Sequence, residues 1–357
     1  MIVSRFWRTW RLHFRPLHPQ LLLGISLAAL LTLLAGCGSD YGGSQNHMHD
    51  MLSLTSAPQT LLIASHIGLY RSTDSGGSWN VVAGEGGQAM DGLMIYKFAQ
   101  SPVDAKRVYV LAVPRPDDKA AAKDRPGIYL SDDSGATWKL ATPVTSFPSQ
   151  NVYTITAGNA SAGQVFALVD SSGGRVLYVS DDAGAHWKQQ PALPASDAAE
   201  VIGDPAHPGR LLLYSLSSGL YATDDAGAHW SGISDIQGGV SSLAFAGSDT
   251  VYAQGDFGVY ASHDDAHSFT LVNKDYNFNA LTASPADPKH VYALTGTAVF
   301  SSTDGGRTWK QSAATSQHPS TLAVDPANAS VVYVSMSYPL GVEKSSDGGA
   351  SWRQILP

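Results

Sequence analysis

Downstream of residue 47 the apolar positions fall into short strands that recur in sets of four along the whole chain. One member of each set ends in an aromatic, usually within Gly-aliphatic-Tyr: Tyr70, Tyr129, Tyr178, Tyr221, Tyr260 and Phe300, with Glu343 standing in that place in the last set. Upstream of it comes a second apolar stretch, Val108-Tyr109, Val165-Phe166, Val251-Tyr252, Val291-Tyr292 and Val332-Tyr333, often preceded by an Asp-Pro type turn such as SPADPKH. Before that turn lies an alternating segment, for example Ala280 to Ala283 or Thr321 to Val324. A final strand follows a conserved-length hairpin, so each unit reads as four antiparallel strands, A to D.

The hairpin between strands C and D carries an octapeptide, Ser/Thr-x-Asp-x-Gly-x-Ser/Thr/His-Trp. It occurs as STDSGGSW, SDDSGATW, SDDAGAHW, TDDAGAHW, a degenerate SHDDAHSF, STDGGRTW and SSDGGASW. The closing aromatics are 59, 49, 43, 39, 40 and 43 residues apart, near the period of a four-stranded propeller blade. The carboxylates of Asp74, Asp133, Asp182, Asp225, Asp264, Asp304 and Asp347 are expected to accept hydrogen bonds from their own turns. Glycine supplies positive φ there, and the Trp is expected to pack on the neighbouring blade. Calcium at each turn would need six to eight oxygens, which one carboxylate does not provide.

These octapeptides resemble the repeats of Asp-box (BNR-repeat) propellers, a group that includes sialidases, xyloglucanase-type glycosidases, sortilin-like receptors and lumenal photosystem II assembly factors. The resemblance implies an all-β, seven-bladed β-propeller of four-stranded antiparallel blades over residues 47–357. It implies little about activity, because function resides in a site and not in the fold. Each blade reads as contiguous in sequence, so the ring is expected to close by packing blade 1 on blade 7. The fifth octapeptide is expected to be the weakest.

The N-terminus changes the picture. Arg5, Arg8, Arg11 and Arg15 precede an apolar run from Leu21 to Leu34 that ends in Leu-Ala-Gly-Cys at Cys37. At 16 residues to Gly36 the run is short for a bilayer span of about 20. Residues 1–36 therefore read as a signal peptide, with an uncleaved anchor as the alternative. Cys37 resembles the lipidated cysteine of bacterial lipoproteins, and residues 37–46 (from Cys37, then GSDYGGSQN) read as a flexible tether. The expected location is outside the cytoplasm, lipid-anchored to a bacterial membrane and facing periplasm or cell exterior. Cys37 is the only cysteine, which excludes an internal disulfide and a thiolate metal site.

Without the four leader arginines, 22 basic side chains become 18 against 30 acidic ones, a net charge of −12. Nucleic acid is thereby disfavoured as a partner. A monomer is expected, with an envelope protein or a glycan as ligand.

Strand alternation puts the octapeptide hairpins and A–B turns on one face of the disc, and the B–C loops and D–A connections on the other. Binding is expected on the second face, where loops vary. Its candidates are Glu85, Asp91, Arg115 and Arg125 around the long loop Pro114 to Pro126, then Asp256, Asp275, Tyr276 and Tyr338, with Phe257 and Phe278 as further aromatics. His47 and His49 point the same way on an extended strand, and His66 follows in the first B–C loop. The three could hold a divalent metal, zinc or copper, or could instead end the tether or make ordinary polar contacts. Otherwise no cofactor is expected.

A glycoside hydrolase needs two carboxylates across the scissile bond. Only Glu85, Glu200 and Glu343 are glutamates, and Glu343 lies beside an octapeptide. Sialidases resembling this chain carry an Arg-Ile-Pro motif and an arginine triad that are not found here, and all six Trp residues after the leader close octapeptides. A non-enzymatic binding or assembly module is therefore preferred to a sialidase-like or xyloglucanase-like hydrolase, with a metal-binding envelope protein third. No catalytic residue is assigned.

Overall fold

A computed structural model of the chain describes residues 46–116, 124–336 and 340–356. The leader, Cys37, the centre of the long loop and Tyr338 lie outside the described residues.

Seven four-stranded antiparallel sheets follow one another, each made of strands consecutive in sequence. Blade 1 runs Met48–Ser53, Leu61–Ser65, Leu69–Ser72 and Asn80–Ala83 as strands A to D. Strands A of the other blades are Leu93–Gln100, Val152–Ala157, Ala198–Gly203, Val240–Ala246, Ala280–Ala283 and Pro319–Val324. Strand A of each blade contacts the inner strands of the blade before it, and that of blade 1 contacts those of blade 7. The expected seven-bladed propeller is therefore the architecture observed.

Burial falls outward from the middle of each blade. Strands B are the most buried, Leu61–Ser65 and Val332–Met336 at every position, because blades cover both of their faces. Strands D, such as Lys188–Gln189 and Lys310–Gln311, are exposed. Tyrosines inside strands B carry hydroxyls that must find partners when buried. Tyr109, Tyr252 and Tyr292 donate to the carbonyls of Ala162, Pro288 and Ala329, each in the A–B turn of the following blade.

The octapeptide turns are built alike. In each, the first Ser or Thr donates to the Asp Oδ1 at 2.7–2.8 Å. Oδ1 also accepts the N–H four residues on. Oδ2 takes the side chain of that same residue, whether Ser, Thr or His. Donation from that side chain, then from its N–H, holds the Asp74, Asp182, Asp264 and Asp347 carboxyls down to about 2. A backbone bond then ties every turn to the A–B turn of its own blade, from Ser75 to Gln59 in blade 1 through Gly348 to Ser330 in blade 7. Both sets of turns thus share one face, as the strand alternation requires.

The fifth turn departs in a different way from the one expected. All its hydrogen bonds are made, but two non-glycine residues, Asp265 and Ala266, occupy left-handed backbone at φ 60° and 59°. Asp265 Oδ2 lies 3.0 Å from Nε of the buried Arg210 and 3.1 Å from His207 Nδ1, both in the A–B turn of blade 4. Asp204 joins the same cluster. An ion-pair network therefore reinforces the turn that lacks glycine, and Arg210 already supplies the cation among its acids.

Candidate functional site

The opposite face gathers the B–C loops and D–A connections around the channel mouth. Its organising irregularity is a β-bulge near the start of strand A in six blades, at His49, Tyr96, Tyr153, Ala199, Ser241 and Ser320. A bulge leaves one residue unpaired and re-aims its neighbours. The residue after each bulge is polar in every case: Asp50, Lys97, Thr154, Glu200, Ser242 and Thr321. Three of them, Asp50, Lys97 and Glu200, come together from blades 1, 2 and 4 in a polar collar that the apolar pattern of the sequence does not disclose.

Lys97 Nζ lies 3.1 Å from Glu200 Oε1, and the Tyr214 hydroxyl donates to Glu200 Oε2 at 3.0 Å. Asp50 accepts the N–H groups of Phe98 in blade 2 and of Met51, both at 2.9 Å. Ser242 repeats this link between blades by accepting from Leu281 N–H. Glu200 and then Asp50 raise the Lys97 ammonium above its ordinary range, burial raises the Asp50 carboxyl, and burial beside Glu200 raises the Tyr214 phenol. Channel water still reaches 34% of the Lys97 side chain.

Above the collar stand the bulge aromatics and the histidines. His47 and His49 have ring centroids 4.6 Å apart, His47 and His66 stack at 4.8 Å, and Tyr96 approaches His49 at 5.5 Å. Tyr153 continues the rim under the Arg175 guanidinium, 3.3 Å above its ring. The histidines do not belong to a loose tether. His66 N–H donates to His47 O, while Asn46 accepts from Ile67 N–H and donates to Tyr70 OH. Burial, then the neighbouring His47 and His66, pushes the His49 imidazole down to about 3.

The remaining candidates are spread around the rim, and several already serve the scaffold. Asp91 is buried and accepts from Gly87 N–H, and Asp256 accepts from Gly239 N–H. Arg115 donates to the carbonyls of Ile67 and Gly84, binding the long loop to blade 1. Arg125 borders a depression of about 330 Å³ with Ala89, Asp124, Tyr129, Trp138 and Leu140. Glu85 lies against Gly68, and Asp275 is exposed. Tyr276 and Phe278 stack at 5.3 Å, but Phe278 is buried against Trp309 and offers no platform. Phe257, 59% exposed in the B–C turn of blade 5, does.

Several solved structures share this architecture. A GH74 xyloglucanase from Xanthomonas campestris aligns with a TM-score of 0.65 at 17% identity, over 88% of this chain and 55% of that one. YCF48 from Cyanidioschyzon merolae aligns with a TM-score of 0.60 at 13% identity, over 84% and 96%. A structure of YCF48 bound to D1 peptide gives 0.53 at 16%, over 74% and 81%. The chain thus spans about half the length of the xyloglucanases it matches. No family model and no curated protein matches the sequence. At these identities the likeness establishes the propeller fold.

Proposed function

We propose that this chain is a non-catalytic member of the Asp-box propellers that binds a protein partner at the bacterial envelope through its loop face. The observation that carries the reading is the employment of that face's carboxylates. Asp91 and Asp256 hold loop backbone, Asp197 accepts from Ser215 and Ser217, and Glu200 is paired with Lys97 and Tyr214. Acid–base or nucleophilic work needs carboxyl groups that face the substrate, and these face their own scaffold. The exposed Phe257, next to Asp256 in the B–C turn of blade 5, suits the aromatic anchor of a protein interface. YCF48, of similar fold, has been captured with a peptide. Lipidation at Cys37 would hold the disc to the membrane surface after export.

The hydrolase alternative rests on fold likeness to the xyloglucanase and, among the described residues of this face, would draw on Glu85, Asp124 and Asp275, which are not among the carboxylates tied to the scaffold above. Screening the chain from Gly38 onward against aryl glycosides, a glycan array and an envelope extract separates the two. The binding reading expects a retained envelope protein that is lost in Phe257→Asp, with no glycoside turnover. Turnover abolished by Glu85→Gln or Asp275→Asn would overturn it.

A further inference from the structure

Blade 1 differs from the other six at the channel mouth, where it alone offers three imidazoles. His47 comes just before strand A, His49 is the bulge residue within it, and His66 begins the B–C loop. The His47 and His49 rings lie 4.6 Å apart, and the His66 ring stacks on that of His47 at 4.8 Å. One ligand nitrogen from each ring lies within 4.8 Å of the other two. We propose that His47, His49 and His66 form a site for one divalent transition metal, zinc or copper(II), with a further coordination position open toward the loop face.

Two features support the assignment. His49 Nε2 is shielded from water without a hydrogen-bond partner, a costly state for a buried polar atom that a metal ion would relieve. The backbone carrying the rings is already fixed by the His66 to His47 bond and by the Asn46 side chain, so little ordering is needed on binding.

The donor set selects the ion. Three neutral imidazoles suit zinc or copper(II), whereas calcium and magnesium require oxygen ligands. Tetrahedral zinc with nitrogens about 2.1 Å away needs them about 3.4 Å apart, which modest rotation of the rings supplies. Three protein ligands leave a place for water or for a donor from whatever docks on this face. The assignment stands whether or not the face binds a protein.

The test uses the full-length chain after chelator treatment. Zinc uptake is measured by competition with a chromophoric chelator, and copper(II) coordination by electron paramagnetic resonance. The expected result is one equivalent of zinc per chain and a copper signal split by imidazole nitrogens, both lost in His49→Ala and in His66→Ala. A His186→Ala, His229→Ala variant, altered at exposed octapeptide histidines, should keep both. His47→Gln, at a half-buried position, serves if a deeper variant unfolds, as monitored by circular dichroism, and should lose the equivalent too. No uptake at micromolar metal, or uptake and signal unchanged in the folded His variants, would overturn the proposal.

Discussion

Trp79 of the first blade donates its indole N–H to the carbonyl of Ile355 in the last, 2.9 Å away and 276 residues distant in sequence. The Ile355 side chain fills the other half of the clasp by lying on Gly76, where a Cβ would come within 2.3 Å of its Cδ1. Trp79→Phe keeps an aromatic ring but loses the N–H bond and part of the indole's packing, so it should cost at least about 1 kcal/mol. Ile355→Ala removes a largely buried side chain and should cost about 2–4 kcal/mol. Because the two residues touch, the double variant should depart from the sum of the single ones. Urea denaturation of all three measures the coupling; strict additivity would mean that the clasp is not a unit.

The tyrosine links between blades make a second prediction. Tyr252→Phe removes the 2.8 Å bond to Pro288 O and leaves that carbonyl to find water, for an expected loss of about 1 kcal/mol. Burial pushes the Tyr252 phenol up to about 12. Its ionisation in alkaline titration, followed by ultraviolet absorbance, should therefore lag behind that of an exposed tyrosine. Normal titration with unaltered stability would remove the link.

Acid should act through the octapeptide turns. Their carboxyls are held near 2 in the folded state for Asp74, Asp182, Asp264 and Asp347, against about 3.9 in the unfolded chain. A depressed folded pKa contributes stability that is fully present above the unfolded value and is lost as pH falls through the folded one. The urea midpoint should accordingly drop between about pH 4 and pH 2, and Asp347→Asn should make that drop shallower. A midpoint flat over this interval would contradict the account.

Glycine in these turns has a steric reason that the fifth copy tests. Gly227 sits at φ +91°, where an added Cβ would meet Leu177 Cδ2 at 2.8 Å. Gly227→Ala should cost about 2 kcal/mol in backbone strain and clash together. The reverse change, Ala266→Gly, relieves left-handed strain but removes a buried methyl worth about 0.8 kcal/mol. Its net effect should stay below about 1 kcal/mol, read from thermal denaturation. A large loss from Ala266→Gly would show that the methyl, and not the Arg210 network, carries this turn.

The blades were legible because each repeats a local code: a continuous apolar strand B, an octapeptide turn and a closing Trp. The Ser, Asp and Gly of the turn from Ser72 to Trp79 predict their own side-chain hydrogen bonds, since those partners lie within eight residues, whereas the Trp79 indole finds its acceptor in the last blade. The collar was not legible. A bulge adds one residue without disturbing the apolar pattern, so nothing local marks Asp50, Lys97 and Glu200 as neighbours across three blades. Phe278 misled for the opposite reason, because exposure of an aromatic in a connecting segment depends on the Trp309 that happens to cover it. The histidines at 47 and 49 were suggested by strand alternation, and the hydrogen bond from His66 N–H to His47 O brings the third ring to them.

The collar yields the last prediction. Lys97 stands between carboxylates from blades 1 and 4, and Lys97→Met would leave both without their cation. Breaking a buried pair costs about 3–5 kcal/mol, but water reaches a third of Lys97, so about 2 kcal/mol is expected. Glu200→Gln keeps a partner for the Tyr214 hydroxyl, and adding it to Lys97→Met removes one of the stranded charges. The double variant should therefore recover part of the loss. The sign of the pH effect follows from Asp50, whose carboxyl burial already raises. Without Lys97 that rise grows, the folded state holds the proton more tightly than the unfolded chain, and stability is lost as pH climbs through the raised value. Lys97→Met should consequently be closer to the parent protein at pH 5 than at pH 8 in urea denaturation. Equal deficits at both pH values, or none, would mean that channel water and not Lys97 neutralises the collar.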